Sequence, residues 1–264
     1  MTDSATAHAA RFTLARQVAL VLGGSSGIGR EIALAWHDAG AIVVPVGRTA
    51  SKVDEVVGAL SARGGRGGGF CADVTDRDQL AGVIEKTIAA HGRIDLLLNS
   101  QGTTLLKPAE EFTRADWDAI METNLASVFF ACTEVGKHML KRGSGAIVNI
   151  ASLSSHRGWP RSALYAISKH GVLSMTRTLG AEWATRGVRV NAISPGFFLT
   201  ALARDKMSAG RKESALRRTP MARFGELPEL VGAALYLASP SAGFVTGTTI
   251  EVDGGYLAAG IDAV

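Results

Sequence analysis

The sequence predicts an α/β protein, a doubly wound parallel sheet of about seven strands with helices on both faces. Three observations carry this prediction. Short apolar runs alternate with helical patterns of roughly 10–15 residues, the signature of βαβ units. The first apolar run ends in a glycine-rich turn that opens a helix. The chain has 264 residues, 47% of them hydrophobic and 20% charged, with neither a domain boundary nor an internal repeat. Residues 1–264 therefore read as one domain.

Each element has its own signal. Residues 1–16 are polar and Ala-rich and read as a short tail, without the basic start and apolar core of a secretion signal. Val18-Ala-Leu-Val-Leu22 reads as a buried strand, and Ile28 to Ala39 as an amphipathic helix closed by Gly40. Ile42-Val-Val-Pro-Val46 is a second strand. Pro45 sits awkwardly in it, because proline cannot donate to a ladder. Ser51 to Ala62 is helical, and the glycines from Gly64 to Gly69 read as a flexible connector. The alternation continues with strand Gly69–Ala72, helix Arg77–His91 and strand Ile94–Leu98. A long helix is expected from Ala115 to Arg142, then strand Ala146–Ala151 and a helix running through Tyr165 to about Arg186. Val188–Ile193 and Thr249–Val252 are the last strands. Right-handed crossovers then place helices on both faces of the sheet.

Composition excludes several classes. No apolar run reaches the roughly 18–20 residues that span a bilayer. The net charge of +4 is spread thinly, with no basic run interleaved with aromatics, so nucleic acid is not an expected partner. The two cysteines, Cys71 and Cys132, are far apart and fit free thiols in a cytoplasmic protein. No metal site is expected.

Chemistry enters with Tyr165-Ala-Ile-Ser-Lys169. On a helix, residues at i and i+4 share a face, so the phenol and the ammonium can enter one pocket. A phenol titrating near 10 is a poor proton carrier at neutral pH, and a neighbouring cation lowers that value. The second constellation is Gly23-Gly-Ser25-Ser26-Gly27-Ile28-Gly29 between the first strand and helix. Glycines there permit a tight turn and let backbone N–H groups approach a pyrophosphate. The third is Arg48, just past the second strand. An acid at this place would grip a ribose 2′-hydroxyl, whereas an arginine accommodates a 2′-phosphate. With no acid at Val46, Gly47 or Arg48, NADP(H) is favoured over NAD(H).

With these residues the chain resembles the short-chain dehydrogenase/reductase family over nearly its full length. The glycine motif matches at Gly23, Gly27 and Gly29. The adenine-side acid matches Asp73, followed by Val74. The family's Asn-Asn-Ala-Gly element appears as Asn99-Ser-Gln-Gly102, and its helix asparagine as Asn124. Its serine matches Ser152, its Pro-Gly element Pro195-Gly196 and its carboxamide contact Thr200, with Phe198 between them. The chain departs from the pattern at Leu22, where the family has Thr, and at Gln101, where it has a small residue.

The resemblance implies a Rossmann fold and hydride transfer between a nicotinamide and a carbinol or carbonyl carbon. Ser152 would hold the substrate oxygen and Tyr165 would exchange its proton. Lys169 would lower the Tyr165 pKa and hold the ribose, and Asn124 would position a water. Residues 199–224 would form a lid, with His156, Trp159 and Phe197 near the substrate. Trp36, Trp117 and Trp183 read as packing residues. The family implies a homotetramer, using the Ala115–Arg142 and Tyr165 helices at one interface and the last strand and tail at another. Sugar-acid dehydrogenases of the gluconate 5-dehydrogenase type and 3-oxoacyl-carrier-protein reductases both share these features. A nucleotide-binding regulator without catalysis is the distant alternative.

Overall fold

The structure, a computed structural model, describes residues 10–65, 67–198 and 207–259. Seven parallel strands form one sheet: β1 (Val18–Leu22), β2 (Ile42–Gly47), β3 (Phe70–Cys71), β4 (Leu96–Asn99), β5 (Gly145–Ile150), β6 (Val188–Pro195) and β7 (Thr249–Val252). Their order is β3-β2-β1-β4-β5-β6-β7. The helices are α1 (Gly27–Asp38), α2 (Ala50–Ala62), α3 (Arg77–His91), α4 (Arg114–Met121), α5 (Ser127–Arg142), α6 (Ala163–Trp183), α7 (Ala209–Arg218) and α8 (Pro228–Ala238). Two apolar clusters form, one on each face of the sheet. Leu20 and Leu22 of β1 join one cluster, Ala19 and Val21 the other, so the strand is buried on both sides.

The strand order places the functional crevice. Chain direction across the sheet reverses between β1 and β4, and ligands bind outside the carboxyl ends of strands at such a switch point. Leu22 pairs with Asn99 there, so the glycine turn after β1 and the Ser100-Gln-Gly102 loop after β4 leave the sheet side by side.

Several expectations are corrected. The tail is not loose where it is described. Leu14 is 0% exposed, its N–H donates to the Ala39 carbonyl at 2.9 Å, and the side chain plugs the β1–α1 core. The single helix from Ala115 to Arg142 is α4 and α5 joined by a π turn over Glu122–Ala126. It starts in a capping box between Thr113 and Asp116. The Tyr165 helix ends at Trp183, and a 3-10 turn occupies Ala184–Arg186. The sequence reading omitted α8, whose apolar residues Leu230, Ala234 and Leu237 pack in the second cluster. Residues 199–206 of the expected lid, with Thr200, lie outside the described residues, and the remainder contains α7.

Pro45 finds its explanation in the edge. β3 pairs only with Val46 and Gly47, so Pro45 has no ladder partner on its outer side. The glycine connector is an instrument of close packing: a Cβ on Gly69 would lie 2.7 Å from Val53 Cγ1 and 3.0 Å from the Pro45 carbonyl oxygen. Trp36 and Trp183 are core residues, as expected, but Trp117 is 39% exposed on α4.

Candidate active site

The site grows from the ends of β1, β4, β5 and β6 and the first turns of α6. Ser152 follows β5 and caps a 3-10 turn, its Oγ accepting from the Ser154 N–H at 3.1 Å. The Ser152 side chain is set against the Tyr165 phenol and is one of the groups that hold its pKa down. Tyr165 as a whole keeps some solvent contact, but its hydroxyl lies deep among neighbouring atoms. Burial therefore pushes the phenol above its usual value, opposed by the nearby Ser152 side chain and the positive charge of Arg211.

Lys169 stands one turn along α6 and is 4% exposed. Its Nζ donates to the Ile150 carbonyl at 2.7 Å, and burial pushes its pKa down to about 8. The ammonium is therefore present at neutral pH. Its Nζ hydrogen bond directs the charge at the β5 carbonyl, one helical turn from Tyr165.

Asn124 sits in the π turn and is fully buried. Its Oδ1 accepts from the Thr103 N–H at 2.7 Å, while its Nδ2 donates to the Thr103 carbonyl at 2.8 Å and to Ser168 Oγ at 3.1 Å. Ser168 Oγ in turn donates to the Tyr165 carbonyl at 2.7 Å. The Asn124 amide thus clamps the loop after β4 to the Tyr165 helix and has no N–H left to orient a water. Gly102 lies between these groups: a Cβ there would be 3.5 Å from Asn124 Oδ1 and 3.6 Å from Lys169 Nζ.

The residues at the glycine turn fit a dinucleotide. Gly23 has φ +75, and a Cβ on it would lie 2.7 Å from the Gln101 backbone nitrogen, so only glycine lets the two loops meet. Ser26 is the N-cap of α1, yet its side chain makes no cap hydrogen bond, which leaves the first-turn N–H groups to an anion. Ser25 and Ile28 flank this turn, with Gly29 buried beneath it. Arg48 is exposed beyond β2 and makes no ion pair among the described residues. Asp73 Oδ1 accepts from the Thr75 N–H and hydroxyl at 3.0 and 2.8 Å, which braces the loop before buried Val74. Pro195 closes β6, and the Gly196 N–H donates to the Val252 carbonyl at 2.8 Å.

Two expected cofactor residues turn inward. Asn99 Nδ2 donates to Asn149 Oδ1 at 2.8 Å within the sheet, so its side chain is a strut beneath the crevice. Phe198 is 7% exposed and packs in the core against Gly225. Gln101 also turns inward: its Nε2 donates to Ser127 Oγ at 3.2 Å, so it does not crowd the crevice. Leu22, the other departure, is simply a core residue.

On the substrate side, Trp159 stacks on Phe197 with centroids 5.4 Å apart and an interplanar angle of 12°. Tyr256, which sequence reasoning did not single out, meets both rings edge-on. His156 is directed at the last two strands: its Nε2 lies 3.0 Å from Ser194 Oγ and 3.6 Å from Glu251. Burial pushes its imidazole below the usual value, with Glu251 opposing. A cavity of about 410 Å³ lies beside this cluster, between Phe197, Met221 and the Asp253-Gly-Gly turn, but none of its lining residues is catalytic. Arg211 of α7 was also missed. It lies in a charged segment whose sequence offers no signal of where one particular cation will point.

A family model described as enoyl-(acyl carrier protein) reductase matches residues 23–257. D-threitol dehydrogenase of Mycolicibacterium smegmatis is 39% identical over 245 residues, covering 93% of this chain and 94% of that protein. The chain is a short-chain dehydrogenase/reductase. Gluconate 5-dehydrogenase of Gluconobacter oxydans is 37% identical over 94% of this short-chain dehydrogenase/reductase and 97% of the relative. A solved gluconate 5-dehydrogenase from Burkholderia cenocepacia, in complex with NADP and tartrate, superimposes with a TM-score of 0.90 at 36% identity, covering 94% of this chain and 98% of that one. As a short-chain dehydrogenase/reductase, the protein is an oxidoreductase acting on CH–OH groups.

Proposed function

We propose that this enzyme interconverts a secondary alcohol and a ketone on a sugar acid, with NADP(H) as cofactor and Tyr165 as general acid and base. The observation that carries the reading is Tyr165 and the buried Lys169 ammonium one helical turn apart on α6, with the Ser152 side chain set against the phenol.

NADP(H), when bound, supplies or accepts the hydride. Ser152 holds the substrate oxygen beside Tyr165. Tyr165 donates its proton to the developing alkoxide during reduction and takes it back during oxidation. Burial keeps the phenol protonated at neutral pH, which is the form reduction needs. Lys169 holds the nicotinamide ribose, with its ammonium fixed in place by the Ile150 carbonyl. Asn124 is a positioning residue, since its amide is committed to Thr103 and Ser168. Gly23, Ser25, Ser26, Gly27, Ile28 and Gly29 hold the pyrophosphate, Arg48 the 2′-phosphate, and Asp73 and Val74 the adenine side. The protein works in the cytoplasm as a homotetramer.

The NADP assignment is supported by Arg48 and by the NADP bound in the Burkholderia relative. The sugar-acid assignment is supported by the relatives named for gluconate. A 3-oxoacyl-acyl-carrier-protein reductase of Thermotoga maritima is 38% identical, which keeps acyl thioesters in the test. The test is a panel of sugar acids, neutral polyols and 3-oxoacyl thioesters, assayed with both NADP and NAD. Highest kcat/KM on a sugar acid with NADP is expected. Highest kcat/KM on a 3-oxoacyl thioester contradicts the substrate assignment.

A further inference from the structure

We propose that Arg211 binds the substrate's carboxylate and thereby selects hydroxy acids over neutral polyols. The inference rests on the sugar-acid reading above and names the residue that would enforce it.

Three observations converge on Arg211. It stands in the first turn of α7, whose start is fixed by Ser208 Oγ accepting the Arg211 N–H at 3.4 Å. Its guanidinium carbon lies over the Trp159 ring, 5.9 Å from the centroid. That is at the outer limit of a cation–π contact, so the ring shelters the group without using up its hydrogen-bonding capacity. Trp159 in turn is tied to the catalytic helix: its carbonyl accepts from the Ser162 hydroxyl at 2.9 Å, and Ser162 is the N-cap of α6.

The second observation is the absence of a partner. The side chain is half-buried, and among the described residues no carboxylate pairs with it. Other arginines of this chain with comparable cover are paired or bonded. Arg142 reaches Asp95 at 2.8 Å and Arg189 reaches the Leu237 carbonyl at 2.8 Å. A half-buried guanidinium with no carboxylate partner among the described residues suits an anion by its chemistry, and its planar fork matches a carboxylate with two parallel hydrogen bonds. The third observation is position. Arg211 lies over Trp159, whose carbonyl is bonded to the N-cap of the Tyr165 helix, and this places the guanidinium beside the start of that helix, where its charge also acts on the Tyr165 phenol. A small hydroxy acid with its carbinol at Tyr165 would present its carboxylate to Arg211, with its carbon chain passing the Trp159–Phe197 face.

Arg211→Gln separates this role from its competitors. Steady-state kinetics with NADP compare D-gluconate with D-threitol, and calorimetry titrates tartrate into the NADPH-loaded enzyme. The variant is expected to lose at least about 10-fold in kcat/KM for D-gluconate, mostly in KM, with less than about a threefold change for D-threitol. Tartrate binding should weaken by a similar factor, and Arg211→Lys should fall between the two. An equal loss on both substrates would show that Arg211 only tunes Tyr165, and would overturn the proposal. If wild type ignores gluconate but Arg211→Gln still loses tartrate, the sugar-acid reading falls and the anion site stands. If gluconate is turned over and Arg211→Gln leaves both gluconate and tartrate untouched, the anion site falls and the sugar-acid reading stands.

Discussion

Lys169 donates a 2.7 Å hydrogen bond to the Ile150 carbonyl from inside the core, and no carboxylate pairs with it among the described residues. The fold therefore carries a cation whose solvation it has largely removed. In the proposed mechanism the cost is retained because the ammonium must stand one turn from Tyr165.

This burial has a stability signature. The folded pKa of about 8 lies below the ordinary 10.5, so the unfolded chain binds more protons between those values. The penalty is complete below pH 8 and fades as pH rises towards 10.5. Lys169→Met should stabilise the protein by about 2 kcal/mol at pH 7, after allowing for the lost bond to Ile150. The advantage should vanish near pH 10.5. Urea unfolding of both proteins at the two pH values checks this, and a pH-independent difference would contradict it. The same variant should bind cofactor more weakly.

Arg48 predicts cofactor choice. It is exposed past β2 with no ion-pair partner among the described residues. Arg48→Glu should lower kcat/KM with NADP by about 100-fold, through loss of a charge-assisted pair and gain of repulsion. Activity with NAD should be preserved or improved. An unchanged NADP-to-NAD ratio would remove Arg48 from the 2′-phosphate site.

The polar strut beneath the crevice predicts a purely structural effect. Asn99 Nδ2 donates to Asn149 Oδ1 at 2.8 Å, and Asn149 Nδ2 donates to Thr176 Oγ1 at 3.0 Å. All three residues are buried. Asn149→Leu leaves the Asn99 amide only its 3.3 Å hydrogen bond to Cys132 Sγ and frees Thr176, and should cost about 2 kcal/mol of stability. Because the ladder lies below the reacting groups, kcat should change less than about threefold. A stability change near zero in chemical denaturation would contradict the ladder's role.

The strands were legible because each parallel strand is apolar on both faces, as β1 shows with Leu20 facing one cluster and Val21 the other. The Tyr165 and Lys169 pair was legible because side chains one turn apart on a helix must share a face, whereas Ser152, in the loop after β5, came from the family resemblance alone. What stayed hidden depends on contacts remote in sequence. The π turn at Glu122–Ala126 has ordinary helical composition, and only the Asn124 clamp on Thr103 explains it. The inward turns of Asn99 and Phe198 are decided by Asn149 and Gly225, many residues away. Arg211 is one cation among several in its segment until α7 brings it over Trp159.

The account stands on Tyr165 as the proton carrier. The direct measurement is kcat of Tyr165→Phe on the best substrate, with NADPH affinity measured alongside by fluorescence titration. A fall in kcat of at least about 100-fold with NADPH affinity preserved is the predicted result. Turnover within a few-fold of wild type would contradict the account.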